Sequence, residues 1–152
     1  MPPQERTQAP AVVLVRRTFQ APQTTVFDAW TTPSMLSQWF ARAPGTAPGV
    51  IVQHDPRPGG VYVVDVFGKD GLTYRMQGLF KEVQRPTRLQ FTWWYDRADY
   101  GPSLVTVEFR AVGPDATEVI LTHEQLPERM LEGHRQGWQE CFDTLAGALA
   151  RN

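Results

Sequence analysis

The apolar residues of this chain change their spacing part-way along the sequence, and this change most constrains the fold. From Gly49 to Glu124 they recur at every second position, which is typical of half-buried β-strands. Stretches rich in glycine and proline interrupt the pattern, for example at 56–60 and 113–115. Such short connections join antiparallel strands, because parallel strands need long crossovers. The sequence therefore predicts an antiparallel meander with strands at 49–54, 60–67, 73–84, 88–96, 103–111 and 117–124.

Different patterns flank this meander. A β-branched run at 12–19 predicts a first strand. Two short apolar segments with helical spacing follow it. Pro22 suits the first position of one helix, and Pro33 separates that helix from the next. After the meander, Pro127 is expected to open a long helix whose large apolar side chains share an arc of roughly 100°. The residues of that arc are Leu131, His134, Trp138, Cys141, Phe142, Leu145 and Leu149. The opposite, outer side carries Glu132, Arg135, Gln136, Gln139, Glu140 and Asp143.

Length and composition limit the class of protein. A chain of 152 residues is expected to form one domain, here 11–152, after a polar and disordered N-terminal tail at 1–10. Its 41% hydrophobic residues exclude a wholly disordered chain, and 15 Lys+Arg against 16 Asp+Glu argue against nucleic-acid binding. The absence of a long apolar run predicts no membrane segment and a cytoplasmic location. The order of elements indicates an α+β fold in which a curved antiparallel sheet packs against the C-terminal helix.

Alternation along the strands places many aromatic rings on the inner face of the sheet, toward that helix. A packed core explains most of them, whereas incomplete closure of the sheet on the helix would leave some lining a cavity. The side chains predicted to bind a ligand there are Trp39, Phe40, Tyr62, Tyr74, Met76, Phe80, Phe91, Trp93, His123, His134, Trp138 and Phe142. Gly137 lies in the middle of the helix, where glycine costs about 1 kcal/mol relative to alanine. It predicts a close approach to a strand or to a ligand.

Few residues suit catalysis or metal binding. The three histidines lack a zinc-ligand spacing, so no metal or other cofactor is expected, and Cys141 reads as a small hydrophobe. His123 and His134 are either core histidines or polar groups that orient a ligand or transfer protons. The carboxylates of Asp65 and Glu108 face outward by the same alternation, which leaves the inner face without an acid. No catalytic residue is therefore assigned.

Several local motifs carry a family resemblance that covers residues 11–150. The long helix contributes Gly137-Trp138 followed by Leu145 and Leu149. The other matching segments are Phe19-Gln20-Ala21-Pro22, Val26-Phe27, Trp30-Thr31, Trp39-Phe40, Asp55-Pro56-Arg57-Pro58-Gly59-Gly60, Gly78-Leu79-Phe80-Lys81-Glu82-Val83, Arg88-Leu89-Gln90-Phe91-Thr92-Trp93 and Thr122-His123-Glu124. In these segments the chain resembles the START-like, or birch-pollen-allergen-like, superfamily. Within it, the chain resembles proteins similar to the C-terminal domain of the activator of the heat-shock-protein-90 ATPase.

The resemblance implies a helix-grip fold and a wide range of functions. Binding of a hydrophobic or aromatic small molecule between sheet and helix is the leading hypothesis. The alternatives are a co-chaperone that stimulates a chaperone ATPase and a cyclase or dehydratase that acts on a polyketide-like substrate. Trp94 stands at an outward position where relatives often carry a charged residue. We expect this side chain to be buried either by the chain's own tail or by a partner subunit, and we favour a homodimer contact.

Overall fold

One antiparallel sheet of seven strands forms the body of the computed structural model, which describes residues 11–151. In spatial order the strands run β1-β7-β6-β5-β4-β3-β2, so the first strand along the chain lies beside the last. The predicted strands are confirmed to within two residues at each end. Their bounds are β1 Val13–Phe19, β2 Val50–His54, β3 Val61–Phe67, β4 Thr73–Gln84, β5 Arg88–Tyr95, β6 Ser103–Gly113 and β7 Ala116–Glu124. The tail at 1–10 lies outside the described residues.

Three α-helices complete the fold: α1 Gln23–Thr31, α2 Pro33–Trp39 and α3 Leu131–Ala150. Two helix starts differ from the sequence prediction. Pro22 is the N-cap of α1 with an extended backbone rather than its first helical residue. Pro127 likewise precedes a 3₁₀ turn, Glu128–Met130, and α3 begins only after that turn. In both places the proline has an extended ψ, near 150°, which holds it just outside the helix.

The sheet bends around α3. The strand register shifts within β2, β4 and β6, and such irregularities bend a strand and increase its twist. On the inner face, the ring of Phe142 in α3 packs edge-on against Phe19 of β1 at 5.5 Å. The Arg17 guanidinium joins the same strand to the Asp143 carboxylate of α3. The α+β helix-grip architecture is thereby confirmed. None of the helices within 11–151 has the length and apolar character needed to cross a membrane.

The densest part of the core surrounds Trp30 of α1. Its ring contacts Trp39 at 4.5 Å, Phe109 at 5.9 Å and Trp138 at 6.2 Å between centroids. Trp39 is fully buried and donates its indole N–H to the carbonyl of Ala29. These rings fill the space between α1, α2, the sheet and the middle of α3. Open space is therefore left toward the N-terminal half of α3.

Candidate functional site

A cavity of about 440 Å³ lies between the N-terminal half of α3 and strands β3 to β5. We call it the α3 cavity. The turn after α2 and the turn after β3 close its sides. Most of its wall is apolar, and the wall residues are Ala41, Arg42, Ala43, Val66, Phe67, Gly68, Lys69, Tyr74, Met76, Trp93, Tyr95, Met130, Gly133, His134, Gly137, Trp138, Glu140 and Cys141.

Five of the twelve residues predicted to bind a ligand lie on this wall. They are Tyr74, Met76, Trp93, His134 and Trp138. The rings of Trp93 and Trp138 lie 4.8 Å apart and form a continuous aromatic surface. Trp93 is 6% exposed, and its indole N–H has no acceptor among residues 11–151.

The other seven predicted residues lie away from the α3 cavity. Phe40, Tyr62, Phe80 and Phe91 pack on one another and leave a gap of only about 10 Å³. Trp39 and Phe142 are fully buried in the core, and His123 is fully buried behind the wall. The inner face thus has a closed end and an open end. Direct contact of any of the twelve with a ligand stays a prediction.

His123 holds Trp138 in place through a hydrogen bond with a single possible direction. The Trp138 indole donates to Nδ1 of His123 at 3.0 Å, so this nitrogen carries no proton. The proton of the neutral ring is therefore on Nε2, which lies 2.7 Å from Oγ of Ser103. The Ser103 hydroxyl accepts from Nε2 and donates its own hydrogen bond to the carbonyl of Trp93 at 3.1 Å. Burial, together with the nearby His134, lowers the pKa of His123 to about 3. His123 is thus a neutral structural group, not a proton donor to the cavity.

His134 has the opposite tautomer and lies on the wall itself. Its Nδ1 is 2.9 Å from the carbonyl of Met130, which can only accept, so Nδ1 carries the proton. Its Nε2 lies 3.4 Å from the hydroxyl of Tyr100. Burial lowers the pKa of His134 below its ordinary value. A neutral ring with an acceptor nitrogen is therefore the form present at neutral pH.

Gly137 and Gly133 leave a bare strip on α3. Of the two alternatives predicted for Gly137, the close approach to a strand is wrong, because a Cβ there would meet no atom within 4 Å, and the close approach to a ligand stays a prediction. A Cβ at Gly133, one turn earlier on the same wall, would likewise meet no atom within 4 Å. The two missing side chains leave space that belongs to the cavity. Their i, i+4 spacing in the sequence was the signal that could have located it.

Gly78, by contrast, is the glycine that closely approaches another strand. A Cβ at Gly78 would lie 2.0 Å from the carbonyl oxygen of Thr92 and 2.7 Å from the ring of Tyr62. The Tyr62 hydroxyl crosses above it and donates to that same Thr92 carbonyl at 2.7 Å. Burial raises the pKa of Tyr62 above its ordinary value. A larger residue at this position would push strands apart instead of filling the cavity.

Charged groups border the cavity, and the sequence reasoning missed them. Glu140 lies on the wall, although the helical arc placed it on the outer side, and its carboxylate accepts from Lys69 Nζ at 3.0 Å. This ion pair links α3 to the turn after β3. Nearby, the Tyr74 hydroxyl donates to Asp70, which holds the pKa of that carboxyl below its usual range. Among residues 11–151 no three His, Cys, Asp or Glu side chains are placed to hold a metal ion.

Trp94 faces outward as predicted and is only half-buried. Its indole N–H donates to the carbonyl of Tyr100 at 2.8 Å, within the loop that joins β5 to β6. Its polar atom is thus satisfied inside the chain. The homodimer contact suggested for this residue stays a prediction.

Solved structures with the same architecture come from several bacteria. Protein CV1439 from Chromobacterium violaceum is 24% identical with a TM-score of 0.80, and the match covers 91% of this chain and 96% of that one. A protein from Arthrobacter aurescens is 21% identical with a TM-score of 0.82, covering 93% and 87%. CalU16 from Micromonospora echinospora is 25% identical with a TM-score of 0.70, covering 91% and 75%. These likenesses support the fold. No curated protein matches the chain.

The family assignment rests on the sequence as well as on the fold. The model of the family described as Activator of Hsp90 ATPase homolog 1-like protein matches residues 20–150. That range contains both short helices, strands β2 to β7 and all of α3. It also contains the residues on which the sequence resemblance was based, apart from Phe19. The chain belongs to the family of Activator of Hsp90 ATPase homolog 1-like proteins.

Proposed function

We propose that this protein binds an apolar or aromatic small molecule in the α3 cavity. Its volume of about 440 Å³ is within the range of small-molecule sites, about 300–1,000 Å³, and its wall is mostly apolar. The observation that carries the proposal is the pair Gly133 and Gly137. Each costs α3 about 1 kcal/mol relative to alanine, and each leaves open space where a side chain would stand. Proteins of this superfamily commonly bind hydrophobic ligands, which agrees with the proposal.

A mass measurement tests the proposal without knowledge of the ligand. Native mass spectrometry of gently purified protein is compared with the mass of the denatured chain. A mass excess that is lost on denaturation would identify the bound molecule. The same spectrum reports monomer or dimer, which tests the suggested contact at Trp94.

Titration with the neutral fluorescent probe N-phenyl-1-naphthylamine locates the site. Gly137→Leu places four carbons in the α3 cavity and is expected to weaken binding at least about tenfold. Gly147→Leu is the matched control, because Gly147 lies on the same helix outside the wall. A Cβ there meets only the guanidinium of Arg151, at 3.5 Å. Equal affinity of the wild type and Gly137→Leu would place binding elsewhere.

Two alternatives have their own support. The family description names an activator of the Hsp90 ATPase, so a co-chaperone role predicts that the chain raises ATP turnover by a chaperone from its own source. Gly137→Leu should leave that stimulation unchanged if a surface carries it. The position of His134 on the wall supports a cyclase or dehydratase, in which His134→Ala would abolish turnover. The cytoplasmic location also stays a prediction.

A further inference from the structure

His134 places on the wall an acceptor nitrogen whose one hydrogen-bonding contact within residues 11–151 is long. Its Nδ1–H is bound to the Met130 carbonyl at 2.9 Å, which leaves Nε2 with an unprotonated lone pair. The imidazole is half-buried and packs against the rings of Trp93 and His123, at 6.3 and 5.1 Å. Its orientation is thereby fixed. Nε2 is a preorganised acceptor at the edge of an aromatic surface.

The present partner of this acceptor holds it weakly. The Tyr100 hydroxyl lies 3.4 Å from Nε2, whereas hydrogen bonds from hydroxyl groups are usually about 2.7–2.8 Å long. The same hydroxyl lies 3.5 Å from Oη of Tyr95. It has one proton and cannot donate to both groups at once. Tyr100 is also outside the cavity wall. Tyr95, which this hydroxyl also contacts, is on the wall, so the Nε2–Tyr100 contact lies beside the cavity and a donor from the ligand can compete for it.

Among the other polar groups of the wall, the Trp93 indole N–H, unpaired within the described part of the chain, is a donor and cannot bind a donor on the ligand, and two further groups have strong partners. The Tyr74 hydroxyl is bound to the Asp70 carboxylate, and Lys69 is paired with Glu140 at 3.0 Å. Opening either contact would separate a charge from its partner. A ligand donor gains more from Nε2 of His134, whose contact with Tyr100 is long, than from competition with these pairs.

We infer that the α3 cavity selects apolar ring compounds that carry one hydrogen-bond donor, such as a phenol, and that Nε2 of His134 accepts this donor. The inference rests on the proposed function, because it names the class of ligand for the same cavity. It predicts that an ether of the same ring system binds less well than the free hydroxyl compound.

The test compares 1-naphthol with 1-methoxynaphthalene by isothermal titration calorimetry at pH 7. The two probes share a ring system, and only the first can donate. The wild type is expected to bind 1-naphthol about five- to tenfold more tightly, which is the usual effect of one hydrogen bond. His134→Phe, which keeps an aromatic ring but has no acceptor, should bind both probes equally. His134→Gln, whose carbonyl oxygen accepts, should recover part of the preference.

The outcomes separate the two proposals. If the wild type binds both probes with the same affinity, the assignment of His134 is wrong and the cavity still binds apolar rings. A preference for 1-naphthol that persists in His134→Phe would move the acceptor to another residue. If neither probe binds the wild type, the proposed function itself fails for aromatic ligands, and the inference fails with it.

Discussion

The indole N–H of Trp138 and Nδ1 of His123 are 3.0 Å apart, and this contact joins α3 to β7 directly behind the wall of the α3 cavity. Both side chains are at most 2% exposed. The Trp138 ring, which forms part of the cavity wall, is therefore held at its N–H by a group that water does not reach.

Removal of this indole N–H is expected to destabilise the protein. Trp138→Phe leaves Nδ1 of His123 buried without a donor, whereas Trp93→Phe removes an N–H that has no acceptor within 11–151. Both changes shorten a ring on the same wall. The free energy of unfolding in urea should thus fall by about 1–3 kcal/mol more in Trp138→Phe than in Trp93→Phe. Equal losses would show that the hydrogen bond contributes little.

Acid is expected to destabilise the fold through His123. In the unfolded chain its pKa is about 6.5, and in the folded protein burial lowers it to about 3. Between these values the unfolded state binds more protons, so stability is fully present above pH 6.5 and is lost as the pH falls toward 3. From pH 7 to pH 5 this one group lowers the free energy of unfolding by about 2 kcal/mol. The lowered pKa values of His54 and His134 act in the same direction.

Nuclear magnetic resonance of the imidazole nitrogens measures the protonation state of His123 directly. The His123 ring should stay neutral, with the proton on Nε2, throughout the range from pH 7 to pH 5. Between pH 7 and pH 5, the free energy of unfolding in urea should fall by about 2 kcal/mol less in His123→Gln than in the wild type. A His123 ring that titrates near pH 6 would contradict both expectations.

The bare strip of α3 predicts that stability and binding change in opposite directions. Gly133→Ala and Gly137→Ala should each raise the free energy of unfolding by about 1 kcal/mol, because alanine favours the helix and its Cβ meets open space. The double variant should also bind N-phenyl-1-naphthylamine less tightly. Gly147→Ala is the control: it should not weaken binding. A double variant that binds as well as the wild type would show that the strip is not part of the ligand site.

Gly78 should tolerate no side chain. In Gly78→Ala the added carbon would lie 2.0 Å from the Thr92 carbonyl oxygen, so β4 and β5 must separate there. We expect a loss of about 3 kcal/mol or more in the free energy of unfolding. Gly101→Ala places a Cβ where no atom lies within 4 Å and should change stability little. A thermal unfolding midpoint that is the same in both variants would contradict this reading of the close approach.

Cys141 should react slowly although it lies on the cavity wall. Burial raises the pKa of its thiol to about 12, so its thiolate fraction at pH 8 is about a thousandfold below that of a free cysteine. Because it is the sole cysteine, its labelling by iodoacetamide can be followed by mass without background. Labelling in urea provides the unprotected rate. Rapid labelling of the folded protein would mean that the thiol faces open solvent.

The sequence predicted which side chains of the strands face inward, but not which of them line the cavity and which pack in the closed end. Alternation along β5 correctly placed Phe91 and Trp93 on the inner face, and both are buried. It could not tell that Phe91 meets Phe80 at the closed end while Trp93 lines the cavity. That difference depends on where α3 crosses the sheet. The crossing is set by contacts such as Phe142 on Phe19, which join distant parts of the chain.

Local patterns were misleading where two interpretations share one signal. A glycine within a strand or helix can mark either a close approach of two backbones or an empty space. Gly78 marks a close approach, and Gly137 marks an empty space. An ideal helical arc placed Glu140 outward, whereas its ion pair with Lys69 brings it to the rim. Long charged side chains reach well beyond the position of their Cα, so periodicity predicts them least well.

The pairing of β1 with β7 has a consequence for how the chain is made. Val13 pairs with His123, about a hundred residues later, so the first strand has no partner until nearly all of the sheet has been synthesised. At about 5–20 residues per second, β1 waits for about 5–20 seconds on the ribosome with its backbone groups unpaired. Contacts that span so much of the chain make folding slow. The same pairing that closes the sheet in the finished protein thus leaves its first strand without a partner until late in translation.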